Sequence, residues 1–157
     1  MRPTPPGWPR ISAALFYDDP RRAIDWLCEA FGFAIRLVVE GENGRVEHSE
    51  LELGDGLIMV AGAGPEHARS GQSWRERLAT PSMVGGRTTQ NLCVYVDDAD
   101  AHCRRARAAG AEIAVEPTTT DYGADYWSDR GYCAVDPGGH VWWFLQRLST
   151  RGEPHGG

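Results

Sequence analysis

The side chains best equipped for chemistry in this chain lie in "RVEHSELEL", where His48, Glu50 and Glu52 occur at every second position. If that stretch is a β-strand, alternation puts all three on one face. An imidazole beside carboxylates can act as a general acid/base pair or contribute to a metal site. Residues four apart on a strand lie too far from one another to grip one ion, so a metal would need a contributor from a facing element. A polar strand face is the simpler reading, with His48 and Glu50 as the candidate acid/base pair. Cys93 is a further candidate member of such a set. No Ser-His-Asp or Cys-His arrangement is visible along the chain. His140, beside a Gly-Gly pair, reads as a turn or edge residue. The glycines of "GDG" and "PGG" precede strands, whereas phosphate-cradling glycines would open a helix.

A second kind of chemistry resides in rings. The run "DYWSDRGYCAVDPGGHVWWFLQ", from Asp125 to Gln146, holds Tyr126, Trp127, Trp142 and Trp143. Stacked aromatic pairs contribute roughly 0.5–1.5 kcal/mol each beyond their buried area. Rings that line a cup therefore suit a planar or conjugated ligand, and a cationic group on that ligand can sit over a ring face. Rings that face the helix layer serve only as core. The distinction depends on the elements that carry them.

Those elements repeat. "SAALFYDDPRRAIDWLCEAFGF", from Ser12, lies over "NLCVYVDDADAHCRRARAAGAE", from Asn91, when Asp18-Asp19 is set on Asp97-Asp98. In each copy a short alternating strand ends in an Asp pair and passes into a helix, with Asp as the N-cap. Pro20 suits the first helical position and Gly110 a C-terminal stop. The predicted helices cover about 20–31 and 98–109. Strands follow each: "AIRLVVE", "RVEHSELEL" and "LIMVAG" in the first copy, then "EIAVE", "GYCAVD" and "HVWWFLQ" in the second. The chain thus reads as α+β, a single domain over 1–157 of two βαβββ modules at about 11–63 and 88–147. Residues 64–87 read as a linker and 148–157 as a disordered tail. The stretch 117–131 reads as a long loop interrupting the second module, and loops of that length are often functional or mobile.

Composition narrows the partners. A net charge of −6 argues against nucleic acid and accords with a neutral or cationic small ligand. No apolar run is long enough to span a bilayer. Prolines stand where the apolar stretch of a signal peptide would be, and the four cysteines show no CxxC spacing, which together point to reduced thiols in a cytoplasm.

The motifs "FYDDPRRAIDWLCEAFGF", "GRVEHSELELGDGLIMV", "TTQNLCVYVDDADAHCRRARAAGAEI" and "AVDPGGHVWWF" occur in the order found in the vicinal oxygen chelate superfamily. The chain resembles its glyoxalase/bleomycin-resistance/dioxygenase branch from about Ile11 to Gln146. The 122–136 stretch is several residues longer than in most similar sequences. The resemblance implies a curved, cup-shaped mixed sheet with helices on its convex face, and a homodimer. In metal-dependent members each half gives one ligand from its first strand and one from its last. The matching positions here are Ser12, Met59, Asn91 and Trp143, a donor set that does not suit a divalent first-row metal. No metal and no other cofactor is therefore expected.

If Trp143 stands at a former ligand position, it faces the cup and Trp142 faces the helix layer. The same parity turns Ser12, Ala14 and Phe16 inward, with Asn91, Cys93 and Tyr95. It gives Leu51 and Leu53 to the core, and places the first residues of the third strand beyond the core. Tyr122, Tyr126 and Trp127 would close over one end. The expected function is metal-independent binding of a planar or aromatic small molecule, as in drug or metabolite sequestration. The alternative is a glyoxalase- or dioxygenase-type enzyme with a relocated metal or a His48/Glu50 acid/base pair.

Overall fold

The computed structural model describes residues 2–64, 67 and 73–150. The chain divides into two compact units, Met1–Arg87 and Thr88–Gly157. Both are built as βαβββ, so the fold is α+β as the repeat predicts. Among the described residues no helix is long and apolar enough to cross a membrane.

The N-terminal unit holds β1 (Ala13–Tyr17), α1 (Pro20–Phe31), β2 (Ala34–Glu40), β3 (Val46–Leu53) and β4 (Gly56–Gly62). The sheet order is β1-β4-β3-β2, with β1 parallel to β4 and the other pairs antiparallel. Asp19 caps α1 by accepting from the Arg22 amide at 3.0 Å, Pro20 fills the first turn, and Gly32 ends the helix at φ 83°. Ile24, Leu27 and Phe31 of α1 are buried, as are Leu15, Leu51 and Val60 on the strands that α1 contacts.

The start of β3 corrects one expectation. Ser49 is 1% exposed and lies in the core, not beyond it. Its hydroxyl donates to the Val60 carbonyl at 2.7 Å and accepts from the Val60 amide at 2.8 Å, so no polar group is left unsatisfied by the burial. Val46 is buried too, after a register shift between Val39 and Glu40 breaks simple alternation.

The C-terminal unit holds β5 (Leu92–Tyr95), α2 (Ala99–Ala108), β6 (Glu112–Asp121), β7 (Ser128–Val135) and β8 (Val141–Ser149), in the order β5-β8-β7-β6. Asp98 caps α2 by accepting from the Ala101 amide at 2.8 Å. The helix buries only small groups, Ala99, Cys103 and Ala106, against a sheet face of large rings. Tyr132 and Phe144 stack at 5.2 Å and Trp142 and Phe144 at 6.1 Å, all three fully buried. Asp136, in the turn before β8, accepts from the Gly138 and His140 amides and from the Trp142 indole at 2.9 Å.

The expected long loop at 117–131 is mostly strand. β6 continues through Thr118-Thr119-Thr120, β-branched residues that favour a pleated surface. β7 begins at Ser128, leaving only 122–127 as the turn. A register shift between Val115 and Thr118 accommodates Pro117, which cannot donate to a ladder. Gly123, at φ 101°, donates its amide to the Asp121 carboxylate and shapes the turn. β8 runs to Ser149, two residues into the expected tail, whose remainder from 151 lies outside the described residues.

Candidate functional site

Three successive rows on one face of the C-terminal sheet define a pocket, because residues paired across strands project to the same side. The first row is Cys93, Trp143, Cys133 and Val115; the second is Tyr95, Leu145, Gly131 and Thr118; the third is Arg147, Asp129 and Thr120. Gly131 has no side chain, which lets Leu145 pack close over it in the middle row beside a hollow. A β-carbon there would run into Leu145 Cδ2 and come within 3.1 Å of the Phe144 carbonyl oxygen. The hollow has a volume of about 430 Å³. Its walls are Trp143 and Cys93 at one end, Asp129 at the other, Val115, Thr118 and Thr120 along β6, and Tyr122 from the turn that follows.

Above its polar end the rings gather around a cation. The Arg147 guanidinium lies 5.2 Å from the Tyr95 ring and 5.1 Å from the Trp127 ring. Arg147 Nε donates to Asp129 Oδ1 at 2.5 Å, and Nη2 donates to the Tyr95 hydroxyl. The Asp129 hydrogen bond raises the Arg147 pKa further above its ordinary value. Tyr122 and Tyr126 pack on Trp127 at 5.7 and 6.0 Å, the second edge-on.

Of the residues singled out from sequence, Cys93, Tyr122 and Trp143 line the pocket, while Tyr95, Tyr126 and Trp127 form the aromatic group at its rim. Asn91 is exposed just before β5 and is not among the lining residues. Trp143 is half-buried and Trp142 fully buried, as strand parity predicts. The thiol of Cys93 is pushed above its ordinary pKa, first by desolvation and then by the Asp129 charge. It stays protonated near neutrality and is a poor nucleophile.

Ser12, Phe16, Met59, His48 and Glu50 belong to the N-terminal unit. Phe16 pairs with Ala61 and Met59 with Ala14 across the β1–β4 ladder. The Ser12 hydroxyl is buried and has no hydrogen-bond partner among the described residues. His48 Nε2 lies 3.0 Å from Glu50 Oε1, while Arg36 Nε lies 3.3 Å from Glu50 Oε2. Arg36 also donates to the Gly7 carbonyl and covers the Trp8 ring. The Glu50 carboxylate, 7% exposed, is thus held between two partners, an arrangement that suits an ion-pair network better than a poised base.

A divalent metal does not fit the donors at the positions where the resemblance would put it. Ser12 offers a buried hydroxyl, Met59 a thioether, Asn91 an exposed amide and Trp143 an indole on a pocket wall. Among the described residues no group of three or more His, Cys, Asp or Glu side chains is arranged to hold a metal ion.

A second hollow in this unit, about 540 Å³, is lined by Asp100, Cys103, Arg104, Arg107, Glu116 and Arg130 among others. Its main charges are committed to each other, Arg130 to Asp100 at 2.5 Å and Arg107 to Glu116 at 2.7 Å.

Sequence reasoning missed Asp129, Gly131, Thr118 and Thr120 because they fell within the supposed loop. Leu145 and Arg147 were within reach: they share the parity of Trp143 along β8.

Residues 11–144 match the Glyoxalase/Bleomycin resistance protein/Dioxygenase superfamily. The uncharacterized protein Mb0911c of Mycobacterium bovis is 31% identical over 134 residues, covering 85% of this chain and 80% of that protein. Among solved structures, TioX from Micromonospora sp. ML1 superposes with a TM-score of 0.65 at 33% identity, over 88% of this chain and 98% of TioX. TnmS3, an antibiotic binding protein from Streptomyces sp. CB03234, gives 0.58 at 20% identity, over 87% and 93%. At that identity the likeness concerns fold.

Proposed function

The chain belongs to the glyoxalase/bleomycin resistance protein/dioxygenase superfamily, and from that premise we propose that it binds a planar aromatic small molecule without a metal ion. The observation that carries this reading is the hollow on this sheet face, walled by the Trp143 indole at one end and by Tyr122 along its side, with the Tyr95 and Trp127 rings held on Arg147 beside Asp129. Such a shape suits a ring system lying flat, with apolar contact supplying affinity and a few polar groups fixing orientation. Cys93 stays protonated and Asp129 is engaged in an ion pair, so the titratable groups lining the hollow suit holding better than transforming. TnmS3 is an antibiotic binding protein, and from it we carry over the class of an antibiotic or related small molecule; the aromatic character follows from the rings here, and the role is sequestration, with drug resistance as its consequence. The same reading takes the protein as a cytoplasmic homodimer. The apolar side chains Ile35, Leu37 and Val39, each more than 40% exposed along edge strand β2, support a second copy covering them.

Titrating planar aromatic compounds while recording tryptophan emission tests the proposal. At least one compound is expected to quench saturably, to be unaffected by EDTA and to be recovered unchanged. Binding that disappears with EDTA, or a broad panel that leaves emission unaltered, contradicts it.

A further inference from the structure

The polar end of the hollow selects among planar ligands, and we infer that Asp129 reads a neutral hydrogen-bond donor, a hydroxyl, on the ligand's far edge; this rests on the pocket reading above. Asp129 is 4% exposed and forms part of the pocket wall. Arg147 Nε bonds Oδ1, which leaves Oδ2 as the carboxylate oxygen offered to a ligand. A ligand hydroxyl donating to a carboxylate oxygen forms a charge-assisted bond, stronger than one between neutral groups. Thr120, Asp129's cross-strand neighbour, adds a hydroxyl to the same end of the wall.

The charge of the donor follows from Arg147. Its guanidinium already neutralises Asp129 and is fixed by the Tyr95 and Trp127 rings, so the pair presents no net charge to the pocket. An ammonium group would meet the Arg147 charge behind the carboxylate, and a ligand carboxylate would meet Asp129 itself. A neutral phenolic hydroxyl meets neither. Arg147 is on this account a positioning residue that turns one face of the carboxylate toward the pocket. Length also agrees. The Trp143 row and the Asp129 row are four residues apart along β7, roughly 13 Å, which leaves space for a bicyclic ring system between their side chains.

Four probes of one size separate the possibilities: 2-naphthol, 2-methoxynaphthalene, 2-naphthoate and 2-naphthylmethylammonium, each titrated at neutral pH with tryptophan emission as the signal. The wild type is expected to bind 2-naphthol about tenfold more tightly than its methyl ether, and the two ions more weakly than 2-naphthol. In Asp129→Asn the amide oxygen stays on Arg147, because that group can only donate. The amide nitrogen then replaces Oδ2, and the naphthol preference should fall to about one or reverse. In Arg147→Met the uncompensated carboxylate should favour the ammonium probe, a change of selectivity that loss of packing alone would not produce. Equal wild-type binding of the four probes, or an unchanged ratio in Asp129→Asn, overturns this inference and leaves the pocket reading standing. Failure of all four to bind overturns both.

Discussion

In β8 the indole of Trp142 is fully buried and donates to Asp136, while that of Trp143 is half-buried on the opposite face, between Cys93 and Cys133 in the ladder. Successive strand residues face opposite ways, so one substitution reaches the core and its neighbour reaches the pocket. Trp142→Ala removes a large ring from a stacked aromatic layer and deprives a buried carboxylate of a donor. A loss of about 3–5 kcal/mol is expected, which lowers the melting temperature by roughly 6–20 °C in a chain of this size. Trp143→Ala should cost about 1 kcal/mol or less and instead weaken binding of any ring that quenches the wild type. Thermal melts and fluorescence titrations on both variants check this. Equal destabilisation by the two would place Trp143 in the core and remove a wall from the proposed site.

At the scale of elements, the segment joining the two units is tied to the start of α1. Thr80, 1% exposed, donates to Asp18 Oδ1 at 2.7 Å, and Ser82 donates to the same oxygen at 2.9 Å. These bonds hold the Asp18 carboxyl below the ordinary carboxylate range, the Thr80 bond contributing most. A depressed folded-state pKa contributes stability above the unfolded value, near 4, and loses it as pH falls through the folded value. Thr80→Val should therefore lower stability by at most about 1 kcal/mol at pH 7, since Asp18 is largely solvated. Variant and wild type should converge in denaturant titrations as pH falls through the lowered folded-state value; a difference that persists once the carboxyl is protonated would assign the effect to packing. The helices and most strands were legible in sequence because apolar periodicity and the Asp caps agree with each other. The site was less so. Thr118, Thr120, Asp129 and Gly131 lie on strands whose polar and glycine content imitates a loop, and only the pairing with β8 reveals that they face one hollow. Ser49 misled for a related reason: a hydroxyl satisfied by a neighbouring strand's backbone counts as core, which no hydrophobic pattern displays.

For the whole molecule, the acidic balance, the loss of suitable metal donors at the family positions and the aromatic hollow agree on one account: a family fold retained for holding a ring system instead of activating it over a metal. Exposed apolar side chains along β2 add the expectation of a second copy. Native mass spectrometry of freshly purified protein tests metal content, bound small molecules and subunit number in one spectrum. The account predicts a species at twice the 17.3 kDa chain mass, free of stoichiometric first-row metal, that gains one defined mass increment per chain when a quenching aromatic compound is added. A stoichiometric zinc, nickel, manganese or iron adduct whose removal abolishes that increment would contradict it.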